Sequence, residues 1–152
     1  MDNSFLHRKK LLLVDDEPDL LKMVSDILSD AGFETVLTAA TVKEAIITAE
    51  KEKPDLMVLD VMLPDGDGFS LMKQLRTFTN VPIIFLTALN STADIVKGFQ
   101  VGANDFISKP FNKEELIIRV THQISLVAAK RLILSKTEEL QRTIAGRDKL
   151  YS

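Results

Sequence analysis

Short apolar runs, each stopped by a polar residue, punctuate the chain. Lys10 to Val14 (KLLLV) stops at Asp15 and Asp16, Leu56 to Leu59 stops at Asp60, and Val81 to Leu86 (VPIIFL) stops at Thr87. Phe106 and Ile107 make a shorter run that stops at Ser108, Lys109 and Pro110, and Phe33 to Leu37 makes a weaker one. Hydrophobic runs of this length, without alternation, predict parallel strands buried on both faces. Between the runs the apolar period lengthens to that of a helix. Leu20, Leu21, Val24, Ile27 and Leu28 repeat at helical spacing, and Gly32 ends the segment. Asp16, Glu17 and Pro18 suit its first turn, where acids meet the positive end of the helix dipole and proline has no hydrogen bond to lose. Thr41 predicts a cap for a helix through Glu52, with Ala45, Ile46 and Ala49 inward and Pro54 as the break. Further helices are predicted over Gly68 to Arg76, over Ser91 to Val101 with Gly102 as the stop, and from Asn112 onward, where KEELIIRV puts acids in the first turn.

Five strands alternating with five helices predict an α/β domain, a doubly wound parallel sheet with right-handed crossovers. The flavodoxin-like (βα)5 strand order 2-1-3-4-5 fits this pattern, with an extended C-terminal helix. The domain is expected over residues 10–125, after an N-terminal arm over 1–9 and before a helical extension over 126–152. That order brings the carboxyl ends of strands 1, 3, 4 and 5 to one edge, and with them Asp15, Asp16, Asp60, Thr87 and Lys109. Each residue alone has a plain reading: an Asp after a strand caps the next turn, a lone Thr closes a strand, a Lys is solvated. The coincidence of four strand ends favours a site. Convergent carboxylates repel one another unless a divalent cation joins them, and a few carboxylates plus waters suit Mg²⁺. A neighbouring ammonium and hydroxyl suit the equatorial oxygens of a transferring phosphoryl group, with Asp60 as the carboxylate nucleophile.

Composition narrows the classes. A chain of 152 residues suits one domain with an appendage, and a net charge of −3 with pI near 5.4 argues against a nucleic-acid-binding surface. The absence of cysteine excludes thiolate chemistry and disulfides. His7 and His122 lie far apart with no ligand partner at helical spacing; both are expected on solvated faces, which disfavours zinc and Ser-His-Asp chemistry. The N-terminus has no leader-like apolar stretch, and no apolar run approaches the roughly 20 residues that span a bilayer, so a cytoplasmic protein without a membrane partner is expected.

Taken together, LLLVDDEP, LDVMLPDGDG, IIFLTA and DFISKPF resemble the receiver domain of response regulators in two-component signalling, over about residues 10–125. The resemblance implies that Asp60 accepts a phosphoryl group from the phosphohistidine of a histidine kinase or phosphotransfer protein. It implies that Asp16 ligates Mg²⁺ directly, that Asp15 acts largely through water, and that Asp60 and the Met62 backbone carbonyl complete the protein ligands. Thr87 and Lys109 resemble the phosphoryl-binding pair, Ala88 the small residue that leaves the phosphoryl site open, and Pro110 the cis-proline after the lysine. Thr87 and Phe106 resemble the switch pair whose movement repacks the face of the fourth helix, fifth strand and fifth helix. Such a domain catalyses only its own phosphorylation and dephosphorylation. Two departures are minor: Leu63 stands where the family often has Met, and Phe106 where Tyr is also common. In the family the side chains at the positions of Met62 and Leu89 flank the path of the hydrolytic water; both are apolar here, which implies slow dephosphorylation. Asp105 and Arg119 match positions that bridge receiver dimers in one subfamily, with solvated surface charges as the plain alternative.

Rival chemistries fit less well. A haloacid-dehalogenase-type phosphatase needs a second Asp where Met62 stands, and a flavodoxin needs a Ser/Thr/Gly-rich phosphate loop where DDEPD stands. A stand-alone Mg²⁺-dependent, aspartyl-phosphate phosphatase-like enzyme is the alternative function. The extension carries +3, leaving −6 on the rest. As one helix from Asn112 to Ser152 it would be on the order of 60 Å long. Leu126, Ile133 and Leu140 fall seven apart with Ile144 on the same side, diluted by Lys130 and Thr137. A homodimer through this helix, or through the face of the fourth helix, is therefore weighed against a solvated extension. The segment KTEELQRTIAGRDKLYS resembles the entry to the dimerisation helix of sensor histidine kinases. That likeness leads to the expectation of an N-terminal receiver in a longer protein, such as a receiver–histidine kinase hybrid.

Overall fold

The computed structural model describes residues 4–151, with side chains described through residue 146. The elements run α1 (Ser4–His7), β1 (Lys10–Val14), α2 (Pro18–Asp30), β2 (Thr35–Ala39), α3 (Val42–Glu52), β3 (Leu56–Leu59), β4 (Met62–Leu63), β5 (Gly66–Asp67), α4 (Gly68–Leu75), β6 (Ile83–Thr87), α5 (Thr92–Gln100), β7 (Asp105–Ser108) and α6 (Lys113–Tyr151). Five strands form one parallel sheet in the order β2-β1-β3-β6-β7, while β4 and β5 pair antiparallel in a separate hairpin. With the hairpin set aside, this is the flavodoxin-like order 2-1-3-4-5 expected from the apolar runs.

Alternate residues of each strand serve opposite faces, because successive side chains of a strand point to opposite sides. Leu11 and Leu13 pack with Val24 and Leu28 of α2 and with Leu116, Val120 and Ile124 of α6. Leu12 and Val14 pack with Ala45 and Ala49 of α3 and with Leu71, Met72 and Leu75 of α4. Each fully buried leucine contributes about 1.5–3 kcal/mol, so the sheet is stabilised from both sides. Caps follow the sequence: Thr41 Oγ1 accepts from Glu44 N, Ser91 Oγ from Asp94 N and Asn112 Oδ1 from Glu115 N.

Several boundaries shift for identifiable reasons. Gly32 closes α2 at φ 109°, and Phe33 N then donates to Leu28 O, so β2 begins only at Thr35 and Phe33 serves the core as a turn residue. Pro82 has no N–H to give, and β6 starts after it at Ile83. α1 was not apparent in the sequence, yet its Leu6 is buried among Val24, Leu28 and Phe33. The expectation for His7 is corrected: its ring stands edge-on to Phe33 with centroids 5.4 Å apart, and it fills the space where a Cβ on Gly32 would come within 2.8 Å. A glycine is needed there twice over, for the backbone angle and for the close approach of the ring. His122 is exposed, as expected.

The Arg76 guanidinium ties the end of α4 to the loops before β6 and β7. It donates to Val81 O (2.7 Å), Gly102 O (2.8 Å) and Asn104 Oδ1 (2.8 Å), and the same Asn104 oxygen accepts from Ile83 N. Beyond Ala128, which still packs against the core, α6 leaves the domain. Residues 129–146 are exposed, and Arg131 Nη2 stands 3.8 Å from Asp55 Oδ1. The side chains of Arg147 and of the RDKLYS end of the kinase-like segment lie outside the described residues.

Candidate functional site

Three strand ends deliver the charged centre. Asp60 follows β3, and its N–H donates to Val14 O (2.9 Å), which extends the β1–β3 pairing by one residue and fixes its direction. Asp15 follows β1 and is fixed likewise by Asp15 N donating to Ala39 O (3.1 Å). Lys109 follows β7, held by its N–H to Thr87 O (2.9 Å), and its peptide bond to Pro110 is cis, as the family resemblance implied. From these anchors the Lys109 ammonium reaches both acids, 2.9 Å from Asp15 Oδ2 and 3.1 Å from Asp60 Oδ2. The side chains of Asp15 and Asp60 are only 7% and 8% exposed, and that of Lys109 16%.

The remaining oxygens are assigned as well. Asp15 Oδ1 accepts from Glu17 N (3.0 Å), a local turn bond just before α2 that coexists with the ion pair; the helix itself is capped at Glu17 without a side-chain hydrogen bond, so the plain reading of Asp15 as a helix cap is corrected. Asp60 Oδ1 accepts from Met62 N (3.2 Å). Asp16 is exposed, and a carboxylate oxygen from each of Asp15, Asp16 and Asp60 lies within 4.8 Å of the other two. One cation thus faces a group of acids. Burial pulls the Lys109 ammonium down, but its hydrogen bonds to Asp15 and Asp60 and their charges outweigh this and hold it above the ordinary lysine range. Burial pushes the Asp15 carboxyl above the ordinary carboxylate range, with the Asp60 charge adding to it, against the bonds from Glu17 N and Lys109.

Thr87 ends β6, fully buried, with its Oγ1 accepting from Leu89 N (3.3 Å). Its backbone is tied to Lys109, so the two share one rim. Phe106 lies half-buried in β7, its ring centroid 5.9 Å from that of Phe85, with α5 approaching closely at Gly98, where a Cβ would stand 3.3 Å from the Phe106 ring. Ala88 is exposed at the rim, as is Met62, at 62%. Asp105 and Arg119 pair with each other within the chain, Nη1 to Oδ1 at 2.7 Å.

The loop after Asp60 holds residues to which the sequence reading gave no individual roles. A Cβ on Gly68 would collide with the Asp60 carbonyl oxygen and come within 2.8 Å of Val61 Cα, so only glycine allows the start of α4 to lie against the site. Asp67 caps α4, accepting from Ser70 N (2.9 Å). The Asp-Gly pair before an apolar helix was the available signal.

Three close carboxylates, one of them exposed, form an all-oxygen donor set that fits a hard divalent cation such as Mg²⁺. Asp16 faces water, so the set leaves room for the aqua ligands that such an ion keeps.

Comparison with known proteins gives one family. The model of the response regulator receiver domain matches residues 11–121. The transcriptional regulatory protein YvrH of Bacillus subtilis is 42% identical over 115 residues, 76% of this chain and 48% of that protein. The DNA-binding response regulator MtrA of Mycolicibacterium smegmatis is 39% identical over 113 residues, 74% of this chain and 49% of that protein. The chain therefore spans about half the length of the curated relatives it matches. A two-component response regulator from Clostridium difficile superposes with a TM-score of 0.75 at 30% identity, covering 78% of this chain and 97% of that one. With the sheet order and the Asp15–Asp60–Lys109 centre, these matches place the chain in the response-regulator receiver-domain family.

Proposed function

We propose that this receiver is a phosphorylation switch in which Asp60 takes a phosphoryl group from the phosphohistidine of a histidine kinase or phosphotransfer protein. The single observation that carries the reading is the Lys109 ammonium bridging Asp15 and Asp60 at the C-terminal edge of the sheet. A carboxylate oxygen of Asp60 attacks phosphorus, the P–O bond forms as the P–N bond breaks, and the imidazole leaves with a proton from solvent. Such a transfer depends on positioning and on neutralising the three equatorial oxygens. Lys109 already stands at Asp60 and is free to turn to the new phosphoryl oxygens, and the Thr87 hydroxyl can exchange Leu89 N for them. Asp15, Asp16, Asp60 and the Met62 carbonyl would hold Mg²⁺, which, when bound, offsets negative charge on the phosphoryl oxygens. Withdrawal of Thr87 toward the site opens space beside Phe85 for Phe106, and β7, α5 and α6 repack as a population shift.

Two readings of the output are supported by different observations. The helix that continues unbroken through residues 126–146 favours rigid coupling of the kind a receiver–histidine kinase hybrid would use. The names of YvrH and MtrA favour a transcriptional output. The reading frame after codon 152 distinguishes them. Leu126, Ile133, Leu140 and Ile144, all half or more exposed, are the surface through which two copies would pair.

The test is intact-mass analysis after incubation with Mg²⁺ and acetyl phosphate. A labile adduct of one phosphate, absent in Asp60→Asn, supports the switch. Multiple turnover on small phosphate esters supports the phosphatase-like alternative instead, and an adduct that persists in Asp60→Asn refutes the assignment of Asp60.

A further inference from the structure

The β4–β5 hairpin that follows Asp60 is fastened at both ends. At its base Gly68 N donates to Val61 O (2.7 Å). At its tip Asp65 reaches back 23 residues: Oδ1 accepts from Val42 N (2.7 Å), and Oδ2 accepts from Lys43 N (3.1 Å). These are the first two N–H groups of α3, which have no partner within the helix. The local cap of α3 is made by other groups and leaves these two donors to Asp65. Thr41 Oγ1 accepts from Glu44 N, and Glu44 Oε2 reaches back to accept from Ala40 N (2.8 Å), one residue before the cap, in a variant of the capping box. Asp65 is thus a tether between the helix and the hairpin, reinforced by Gly66, where a Cβ would meet Val42 Cγ2 at 3.2 Å.

The hairpin is too short to bend in the middle. Its register pairs Met62 with Asp67 and Leu63 with Gly66, so a displaced tip carries Met62 with it. We infer that Asp65 is a positioning residue for the metal: clamping the hairpin tip to the N-terminus of α3 holds the Met62 carbonyl where it can serve a divalent cation. This rests on the Mg²⁺ reading of the site given above.

The experiment is calorimetric titration of the whole chain with MgCl₂, without phosphodonor, beside thermal unfolding in EDTA. Asp65→Ala should weaken Mg²⁺ binding about tenfold, the lower end of what outer-shell supports of metal ligands contribute. Asp65→Asn, which keeps an acceptor for Val42 N, should recover part of the loss. Thr41→Ala removes the local cap of the same helix; it should lower the unfolding temperature and leave Mg²⁺ affinity unchanged. The inference is overturned if Asp65→Ala binds Mg²⁺ like the unaltered chain, or if Thr41→Ala weakens binding as much. An unaltered chain that binds no Mg²⁺ overturns the metal reading itself, and this inference with it.

Discussion

Replacing Lys109 by methionine keeps the length of the side chain and removes its charge. Asp15 and Asp60, less than a tenth exposed, are then left facing each other with carboxylate oxygens no more than 4.8 Å apart. At an effective dielectric of about 20, like charges at that separation repel by roughly 3–4 kcal/mol, close to the cost of about 3–5 kcal/mol for removing one partner of a buried ion pair. In EDTA at neutral pH the variant should therefore unfold about 10 °C lower, at roughly 3 °C per kcal/mol for a domain of this size. The sign of the pH dependence follows from Asp15. Its carboxyl is already raised by burial, and losing Lys109 raises it further, so ionised Asp15 works against folding. The penalty in Lys109→Met should shrink as pH falls and Asp15 takes a proton, and grow as pH rises through its folded-state pKa. In the unaltered chain the contribution of Lys109, whose pKa is raised, persists through neutrality and is lost only in strong alkali. Mg²⁺ would restore the missing positive charge, so saturating MgCl₂ should recover most of the lost stability in Lys109→Met and add less to the unaltered protein. Differential scanning fluorimetry over pH, with and without the metal, reads all three effects. A variant as stable as the original in EDTA, or a loss indifferent to both pH and Mg²⁺, refutes the electrostatic account of this centre.

Other expectations follow from neighbouring features. Met62→Asn combined with Leu89→Glu introduces groups that can orient water at the rim, and phosphate release from phosphorylated Asp60 should become faster; an unchanged rate dismisses the idea that apolar side chains slow hydrolysis there. Gly68→Ala puts a methyl group against the Asp60 carbonyl and Val61, and urea unfolding should register a loss of about 1–3 kcal/mol or more. Arg76→Ala withdraws the donors from Val81 O, Gly102 O and Asn104 Oδ1, of which the last keeps Ile83 N, and leaving the two carbonyls unmet should cost about 1–3 kcal/mol in the same measurement. Asp65 and Asp67 are both held below the ordinary carboxylate range, chiefly by backbone hydrogen bonds from Val42 and Ser70. Their support of the Asp60 loop is complete above the unfolded-state pKa and is lost as pH falls through the lower folded-state values. The protection of the Val42 and Ser70 amides, taken relative to their intrinsic exchange rates, should therefore fall only in acid below about pH 4.

The sheet and the charged centre were legible because both are written locally. A strand buried on two faces admits few residue types, so KLLLV and VPIIFL identify themselves, and the polar residue ending each run marks the ligand edge. Asp15, Asp60 and Lys109 needed only the strand order to be brought together. What stayed hidden depends on partners distant in sequence. Asp65 reads as an ordinary turn acid until α3, 23 residues earlier, is placed beneath it. Arg76 reads as a helix-end cation until the loops at Val81 and Gly102 close around it. His7 carries no signal of its contact with Phe33, because two aromatic residues so far apart meet only once the first helical turn is seated beside the turn at Gly32. Asp105 and Arg119 satisfy one another inside the chain, a pairing the dimer resemblance alone did not suggest.

The continuity of α6 imposes an angular bookkeeping on any signal it carries. From Ala128 to Tyr151 the helix rises about 35 Å, so a tilt of some 5° where it leaves the domain sweeps the far end by roughly 3 Å. Rotation is transmitted as directly. Deleting one residue between Arg131 and Leu140 would turn Ile144 by about 100° relative to Arg131 and Asp55, while deleting seven would return it nearly to its original azimuth, about 10 Å nearer the domain. The phase of this helix, more than its length, is the quantity that a repacking of β7 and α6 can set.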